Sequence, residues 1–360
     1  MINVEIKKYE ITDDSNYLFT CAELTSREFE FLDNLKLERL VNSKNTDEFL
    51  KVLQETVYSS NIALINDESN LDNFILKYYK EMVDFLVERL EINHFSIIYL
   101  LFIEEYLNDF KLILKSLLLN NINLENLFIP LTFSYENLME FMKKESPSLI
   151  NEKDIFFQKI ISELFNIKTI AMSEENYKQE NIINFRKIEI SFEKKFIEIL
   201  LEEIKKIKSQ MLLDYFKHWI DIQNIKNMNR VKYSEENLKY LDYLYPGGFI
   251  DINLFKILQS ESSDYQVKEF EESCYSDIVI KGVHSLFSYK TFFSFDKNET
   301  LFYLRFFDSI KYSVSNVVKI FSFFLRKKVE IIVLNMIYMG IKYNAQKRNI
   351  IHKAEFLSES

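Results

Sequence analysis

The chain has 360 residues, a net charge of -10 and 48% hydrophobic residues, with only four glycines and three prolines. The hydrophobic fraction excludes a disordered chain, and the length allows two or three domains. All-β folds need many turn residues, so their scarcity favours an all-α fold of long helices joined by short polar loops. The acidic charge, with lysines interleaved among glutamates rather than gathered in a basic stripe, is not typical of a protein that binds duplex nucleic acid.

The cysteines and the apolar segments point to a chain without disulfides or membrane spans. Cys21 and Cys274 are far apart and lack CxxC spacing, which disfavours a disulfide framework or a zinc site and fits a reducing compartment. The N-terminus has no apolar run of the signal-peptide type. Residues 95–119 are the most apolar stretch, but five charged residues interrupt it, so we predict a core helix. We expect a soluble chain, which leaves docking on a membrane complex open.

The first half of the chain is predicted to form short helices followed by longer ones. Residues 1–20 are predicted to be irregular. Thr25 and Glu28 fit a capping box that opens a helix through Leu35, and Asn45 opens another helix that ends near residues 54–58. Further helices are predicted over residues 70–90, 95–119, 134–144 and 152–165.

The second half contains a predicted junction and a longer helix. Residues 166–190 are polar and mixed, which indicates a loop or a subdomain junction. Residues 191–229 carry apolar side chains at helical spacing and are predicted to form one helix, packed in a bundle because the heptads of a coiled-coil arm do not persist. Later helices are predicted over residues 300–312, 314–344 (with a break left open) and 350–356.

Residues 219–275 contain the most informative sequence motifs of the chain. Two of the four glycines, Gly247 and Gly248, follow Pro246 in a predicted turn, where a glycine supplies a positive φ. That role is structural and implies no chemistry. The helix before the turn carries a polar set that consists of Asp221, Asn224, Lys226 and Arg230.

Two parts of this stretch recur elsewhere in the chain. The segment NDFK at residues 108–111, followed by Lys115, echoes QNIK at residues 223–226, followed by Arg230. Each copy runs through an Asn-Leu pair toward a proline, at position 130 or 246. A second echo joins LQETVY at residues 53–58 to FEESCY at residues 270–275, with a hydroxyl residue in fourth place and a tyrosine in sixth. Two echoes in consistent order predict related helical modules.

The cations of the first echo, Lys111 with Lys115 and Lys226 with Arg230, allow two interpretations. Residues four apart lie on one helix face, and such cations ordinarily pair with acidic residues of neighbouring helices and orient the bundle. Alternatively, they contact the carboxylates or a helix C-terminus of a partner protein.

At these residues the chain resembles the C subunit of the V/A-type rotary ATPases (ATP synthases), the family that includes the d subunit of eukaryotic V-ATPases. The family pattern of an Asp, an Asn-aliphatic-basic triplet and a further Arg matches Asp221, residues 224–226 and Arg230. Its Pro-Gly-Gly turn matches residues 246–248, and its Leu-x-x-Thr-x-Tyr signature matches residues 53–58.

The C-terminal part of the family pattern matches less fully. Its Lys-x-Glu-Ile run corresponds to residues 328–331 and its Gly-Lys to Gly340 and Lys342. Val333 and Asn335 replace the Asn and Arg of the last family element, and Met339 stands where a further basic residue is expected. The resemblance covers roughly residues 15–345.

The resemblance implies a funnel built from three related helical bundles. The modules are expected at residues 1–100 (with C-terminal helices packing nearby), 101–213 and 214–360. In that family the protein is a non-catalytic adaptor of the central stalk, which couples the rotating shaft, formed by the D and F subunits, to the membrane ring of ion-carrying subunits. The resemblance also implies a place on the cytoplasmic face of the membrane, without insertion, and no cofactor, metal or catalytic residue.

The sequence contains no motif that supports a metal site, a nucleotide-binding site or a catalytic cysteine. The four histidines are scattered without ligand spacing, and no phosphate-binding glycine loop is present. Glu104 and Glu105 lack the Glu-x-x-His partners of a carboxylate metal site. Neither cysteine has a base paired with it in sequence. The alternative to the rotor adaptor is therefore a free-standing helical scaffold or protein-binding module, and an enzyme ranks third.

Overall fold

Helices make up most of the described structure. The computed structural model describes residues 1–10, 12–65, 71–119, 122–143, 155–173, 178–179, 182–234 and 243–345. Within these ranges the chain is helical apart from loops and one antiparallel ladder of two residues per strand. The predicted all-α class is confirmed.

The elements follow one another in a simple order. The α-helices are α1 (Leu18–Ser26), α2 (Asn34–Asn42), α3 (Thr46–Leu53), α4 (Asp72–Arg89), α5 (Ser96–Leu101), α6 (Ile103–Leu118), α7 (Tyr135–Lys143), α8 (Ile155–Ser173), α9 (Phe185–Lys206), α10 (Gln210–Ser234), α11 (Ile252–Ser260), α12 (Ser263–Phe270), α13 (Ser276–Tyr289), α14 (Phe293–Phe306) and α15 (Val317–Lys342). The strands β1 (Lys178–Gln179) and β2 (Ile182–Ile183) lie between α8 and α9. Short 3-10 helices occur at Ser15–Tyr17, Glu28–Glu30, Val57–Leu64, Ile92–His94, Glu125–Leu127 and Asp308–Tyr312.

One of the two predicted helix starts near the N-terminus is correct. The side chain of Asn45 accepts a hydrogen bond from the amide of Glu48 at 2.9 Å, which caps α3 as expected. The capping box at Thr25 is wrong, because Thr25 lies inside α1 and its hydroxyl donates to the carbonyl of Cys21 at 2.8 Å. The next helix, α2, begins only after Asp33, which caps it.

Several predicted boundaries are also wrong, two of them for a local backbone reason. Residues 166–190 are not one loop, since α8 continues to residue 173 and α9 begins at residue 185. The single helix predicted over residues 191–229 is divided between α9 and α10, where Lys208 takes a left-handed conformation with φ 60°. Phe102 leaves the helical region and separates α5 from α6. The helix at residues 314–344 is unbroken within α15, and residues 350–356 lie outside the described ranges.

The chain forms two compact units. Unit 1 consists of Met1–Lys7 and Leu86–Phe287, and unit 2 consists of Lys8–Phe85 and Ser288–Ser360. Each unit therefore combines segments that are distant in sequence. The funnel and the three modules at residues 1–100, 101–213 and 214–360 stay predictions.

A helix that is buried on nearly all sides runs through each unit. In unit 1 this helix is α10, which packs against α9 and α11. In unit 2 it is α15, which packs against α1, α3 and α14. Neither is amphipathic, because a helix surrounded by protein needs apolar residues on every face. Polar residues on such helices need partners inside the protein, which makes them informative about the fold.

Aromatic side chains fill the space between α6, α8 and α9 in unit 1. The ring of Phe110 lies 6.0 Å from the rings of both Phe192 and Phe196 and 6.2 Å from that of Phe157, measured between centroids. Such contacts add to the free energy that burial alone supplies.

We expect Phe110→Ala to lower the free energy of unfolding by about 3–5 kcal/mol, because it removes a buried ring from this cluster and leaves a cavity. The measurement is guanidinium denaturation followed by circular dichroism. Phe287→Ala is the control in the same unit, since its ring is 43% exposed, and should cost clearly less. Equal losses in the two variants would contradict the assignment of Phe110 to the core.

Candidate functional site

The carboxylate of Asp221 organises the turn that contains the two adjacent glycines. Asp221 lies on α10, is fully buried, and accepts hydrogen bonds from the backbone amides of Phe249 at 2.9 Å and Ile250 at 3.2 Å. Gly248 passes so close that a Cβ atom at this position would lie 2.0 Å from Oδ1 of Asp221. The carboxylate therefore occupies the space that any side chain at position 248 would need.

Gly247 and Asn224 fix the other side of the turn. Gly247 has a φ of 98°, in the left-handed region, and a Cβ atom there would lie 2.8 Å from Cδ2 of Leu201. The Asn224 side chain accepts from the amide of Tyr245 at 2.7 Å and donates to its carbonyl at 2.9 Å. Asn224 and Asp221 are three residues apart and share one face of α10. One helix face thus holds residues 245–250 at two points.

A tyrosine and a histidine complete the cluster. The hydroxyl of Tyr275 donates to Oδ2 of Asp221 at 2.8 Å, and Nδ1 of His218 lies 2.7 Å from the same hydroxyl. All three side chains are buried. The cluster consequently contains a continuous chain of hydrogen bonds from His218 through Tyr275 to Asp221.

Burial dominates the electrostatics of these groups. It raises the pKa of Asp221 to about 7, although the hydrogen bonds from Tyr275, Ile250 and Phe249 lower it. Burial likewise lowers the pKa of His218 to about 4 and raises the pKa of Tyr275 well above its usual value. At neutral pH the histidine and the tyrosine are therefore uncharged, whereas the aspartate is close to its titration midpoint.

Unit 2 contains a matching cluster around Glu330 on α15. Its Oε2 accepts from the amide of Leu32 at 2.6 Å, and its Oε1 accepts from the hydroxyl of Tyr58. Lys327 lies one helical turn earlier, with Nζ 3.1 Å from Oε1. A buried carboxylate on the central helix thus again accepts from a loop amide and from a tyrosine hydroxyl.

The second sequence echo corresponds to one local structure in both units. The Thr56 hydroxyl donates to the carbonyl of Leu53 at 2.6 Å and accepts from the amide of Tyr58 at 3.2 Å. At residues 270–275 the Ser273 hydroxyl makes the equivalent pair of bonds at 2.8 Å and 3.2 Å. The hydroxyl residue therefore shapes a turn that directs a tyrosine to a buried carboxylate.

The first echo also has a structural counterpart. Oδ1 of Asp109 on α6 accepts from the amide of Ile129 at 2.8 Å, as Oδ1 of Asn224 accepts from Tyr245. Both donors immediately precede a proline. Burial raises the pKa of Asp109 to about 8, because a single amide does not offset the loss of water and the nearby charge of Glu105 raises the pKa further. The Asn-Leu pair at residues 237–238 lies outside the described residues.

The predicted cations have different surroundings. Lys111 forms an ion pair with Glu193 at 2.7 Å and Lys115 with Glu189 at 2.6 Å, and both glutamates are on α9. Lys226 is 5% exposed. Arg230, one turn after Lys226 on α10, is exposed, and its Nη1 lies 3.5 Å from Oδ1 of Asn227. Two of these four cations are thus ion-paired within unit 1, Lys226 is buried in it, and Arg230 is exposed.

Sequence reasoning singled out Asp221, Asn224 and the Pro246-Gly247-Gly248 turn, which the structure brings together. It missed the parts that His218, Tyr275, Glu330 and Asp109 play. The two tyrosines of the second echo contained the signal, since a repeated tyrosine with a preceding hydroxyl residue suggests a repeated acceptor. No pattern in the sequence indicated which carboxylates those acceptors are.

The described ranges contain neither of two common functional features. In these residues no group of three or more His, Cys, Asp or Glu side chains is arranged to hold a metal ion. No helix among them combines the length and apolar character that a membrane crossing requires.

We expect Gly248→Ala to lower the free energy of unfolding by about 1–3 kcal/mol, because the added methyl group displaces the Asp221 carboxylate. Asp221→Ala destabilises on its own but makes room for that methyl group. In the Asp221→Ala background, adding Gly248→Ala should therefore cost less than about 0.5 kcal/mol. The measurement is a double-mutant cycle by denaturant unfolding, and additive losses would contradict the proposed close contact.

A second prediction concerns the ion pair between α6 and α9. Lys111→Glu should destabilise by roughly 1 kcal/mol or more, because its partner Glu193 is only 15% exposed, and the double variant with Glu193→Lys should recover part of the loss. Lys195→Glu is the matched control, since Lys195 and Glu198 are about half exposed, and should cost less than about 0.5 kcal/mol. Equal losses of stability at the two sites would show that the Lys111–Glu193 pair contributes no more than an exposed surface ion pair.

Comparison with known families identifies the chain. The sequence profile of the ATP synthase (C/AC39) subunit matches residues 20–352, which include segments of both units and both carboxylate clusters. A comparison with individually curated proteins finds no match. The resemblance seen in the sequence motifs is confirmed, and the chain belongs to the ATP synthase (C/AC39) subunit family.

Proposed function

We propose that this chain is a non-catalytic component of the central stalk, which couples the rotating shaft, formed by the D and F subunits, to the membrane ring of a V/A-type ATP synthase. The family match over residues 20–352 is the observation that carries this proposal. The chain would act on the cytoplasmic face of the membrane, as a socket between shaft and ring. No observation favours the alternative of a free-standing helical scaffold.

The internal structure of each unit suits an adaptor that transmits torque. Such a part must keep its binding surfaces fixed relative to its core while force acts on them. Buried carboxylates on α10 and α15 fasten loops directly to the central helices, at Phe249 and Ile250 in unit 1 and at Leu32 in unit 2. Close-packed interiors of this kind deform little and transmit strain.

Arg230 is the cation that we assign to a partner contact. Lys111 and Lys115 are engaged by glutamates of α9 and Lys226 is buried, so their charges support unit 1 from within. Arg230 is exposed and can approach the carboxylates or a helix C-terminus of a shaft protein. An interface that depends on such charges weakens as salt increases.

The test is binding of the purified chain to the D–F shaft at low and high salt. We expect wild-type protein to bind, with affinity falling as salt rises, and Arg230→Glu to bind at least about tenfold more weakly at low salt. Lys205→Glu is the matched control, because Lys205 is an exposed cation of α9 in the same unit, and should bind like wild type.

The outcomes separate the parts of the proposal. Normal binding by Arg230→Glu would remove that residue from the interface while leaving the adaptor role in place. Failure of folded wild-type protein to bind its cognate shaft would reject the adaptor role and would favour the alternative of a free-standing helical scaffold.

A further inference from the structure

The two carboxylate clusters differ at the position three residues before the carboxylate, and this difference affects how the charge of Asp221 in unit 1 is balanced. Lys327 precedes Glu330 by three residues, and its ammonium group lies 3.1 Å from the carboxylate. His218 stands in the same place relative to Asp221, and it contacts Tyr275 instead. Among the described residues no cation forms an ion pair with Asp221. The same fold thus buries one carboxylate beside a cation and the other without one.

A buried carboxylate without a cation can be neutralised by a proton. We propose that Asp221, Tyr275 and His218 form a proton-binding site that controls the turn at residues 246–250, in which proton uptake holds the turn closed on α10 and proton release favours its opening. This site is independent of the rotor assignment.

The hydrogen-bond chain can accommodate the added proton while keeping both of its hydrogen bonds. In the ionised state Tyr275 donates to Asp221, and Nδ1–H of His218 donates to Tyr275. When the site takes up one proton, Nε2 of His218 carries a hydrogen and each bond of the chain reverses. Asp221 then donates to Tyr275, Tyr275 donates to Nδ1, and each of the two hydrogen bonds still contains one proton. The 2.8 Å and 2.7 Å distances suit either direction.

The direction of coupling follows from linkage. With the turn closed, burial raises the pKa of Asp221 to about 7, whereas with the turn open and the carboxylate hydrated the pKa returns toward its usual value near 3.8. The closed turn therefore binds the proton more tightly, so the proton stabilises the closed turn. That stabilisation is complete below the open-state pKa, declines as pH rises, and is lost above the closed-state pKa.

Other charged groups near the cluster leave this direction unchanged. On α10 itself, Lys217 lowers the pKa of Asp221, and Asp214 raises that of His218. From the N-terminal segment, Lys7 pairs with Asp214 at 3.2 Å and lowers the pKa of His218. From the segment that ends at Tyr275, Cys274 is near Asp221, and burial raises its pKa to about 12, so it stays protonated. The turn at residues 246–250 contributes backbone amides and no titratable side chain.

The test is hydrogen exchange at the amides of Phe249 and Ile250 across pH, corrected for the intrinsic pH dependence of exchange. In wild-type protein we expect their protection to fall roughly tenfold for each pH unit between about pH 4 and about pH 7 and to level off above it. The amide of Leu32 is the internal control, because its acceptor Glu330 has Lys327 beside it, and its protection should stay constant.

Two variants identify the titrating group. Asp221→Asn mimics the protonated acid and should abolish the slope at Phe249 and Ile250. Tyr275→Phe removes a hydrogen bond that lowers the pKa of Asp221, so protection should level off at a higher pH. A flat wild-type profile overturns the proposal even if neither variant folds. So does a slope that persists in Asp221→Asn, or one that Leu32 shares, because either indicates titration elsewhere or global unfolding.

Discussion

The structure depends on a buried carboxylate, placed on the central helix of a unit, that fastens a loop to that helix. Asp221 does this in unit 1 and Glu330 in unit 2, and each accepts from a loop amide and a tyrosine hydroxyl. Burying a charge is costly, so the arrangement persists only where hydrogen bonds or a cation compensate for lost water. These partners come from segments far apart in sequence, which ties the loop, the tyrosine turn and the helix of each unit into one packed body.

The same carboxylate explains the second glycine of the turn. A positive φ requires glycine at position 247, but position 248 needs glycine because Asp221 fills the space of its Cβ atom. The two clusters also differ in electrostatics because different residues occupy the position three before the carboxylate. A lysine beside Glu330 supplies a counter-charge, whereas His218 beside Tyr275 begins the hydrogen-bond chain that we propose binds a proton.

The sequence predicted the helical class and the cap at Asn45, because these depend on local spacing. It singled out Asp221, Asn224 and the glycine turn but did not predict that they meet. It failed where tertiary structure overrides local pattern. The apolar periodicity continues across Lys208, so nothing in it shows that the backbone turns there. The acceptor of Tyr58 lies 272 residues away on α15, beyond the reach of periodicity. The repeat of the tyrosine motif was visible, but its partners required the fold.

Membership in the ATP synthase (C/AC39) subunit family, together with loops fastened to central helices, is the basis for our proposal that the chain is an adaptor that turns with the shaft. The most direct test is single-molecule rotation of the assembled, ATP-driven complex with a bead attached through Lys205→Cys, on the exposed surface of α9. We predict that the bead rotates in step with one attached to the shaft. A bead that stays fixed relative to the catalytic subunits while the shaft rotates would contradict the adaptor role.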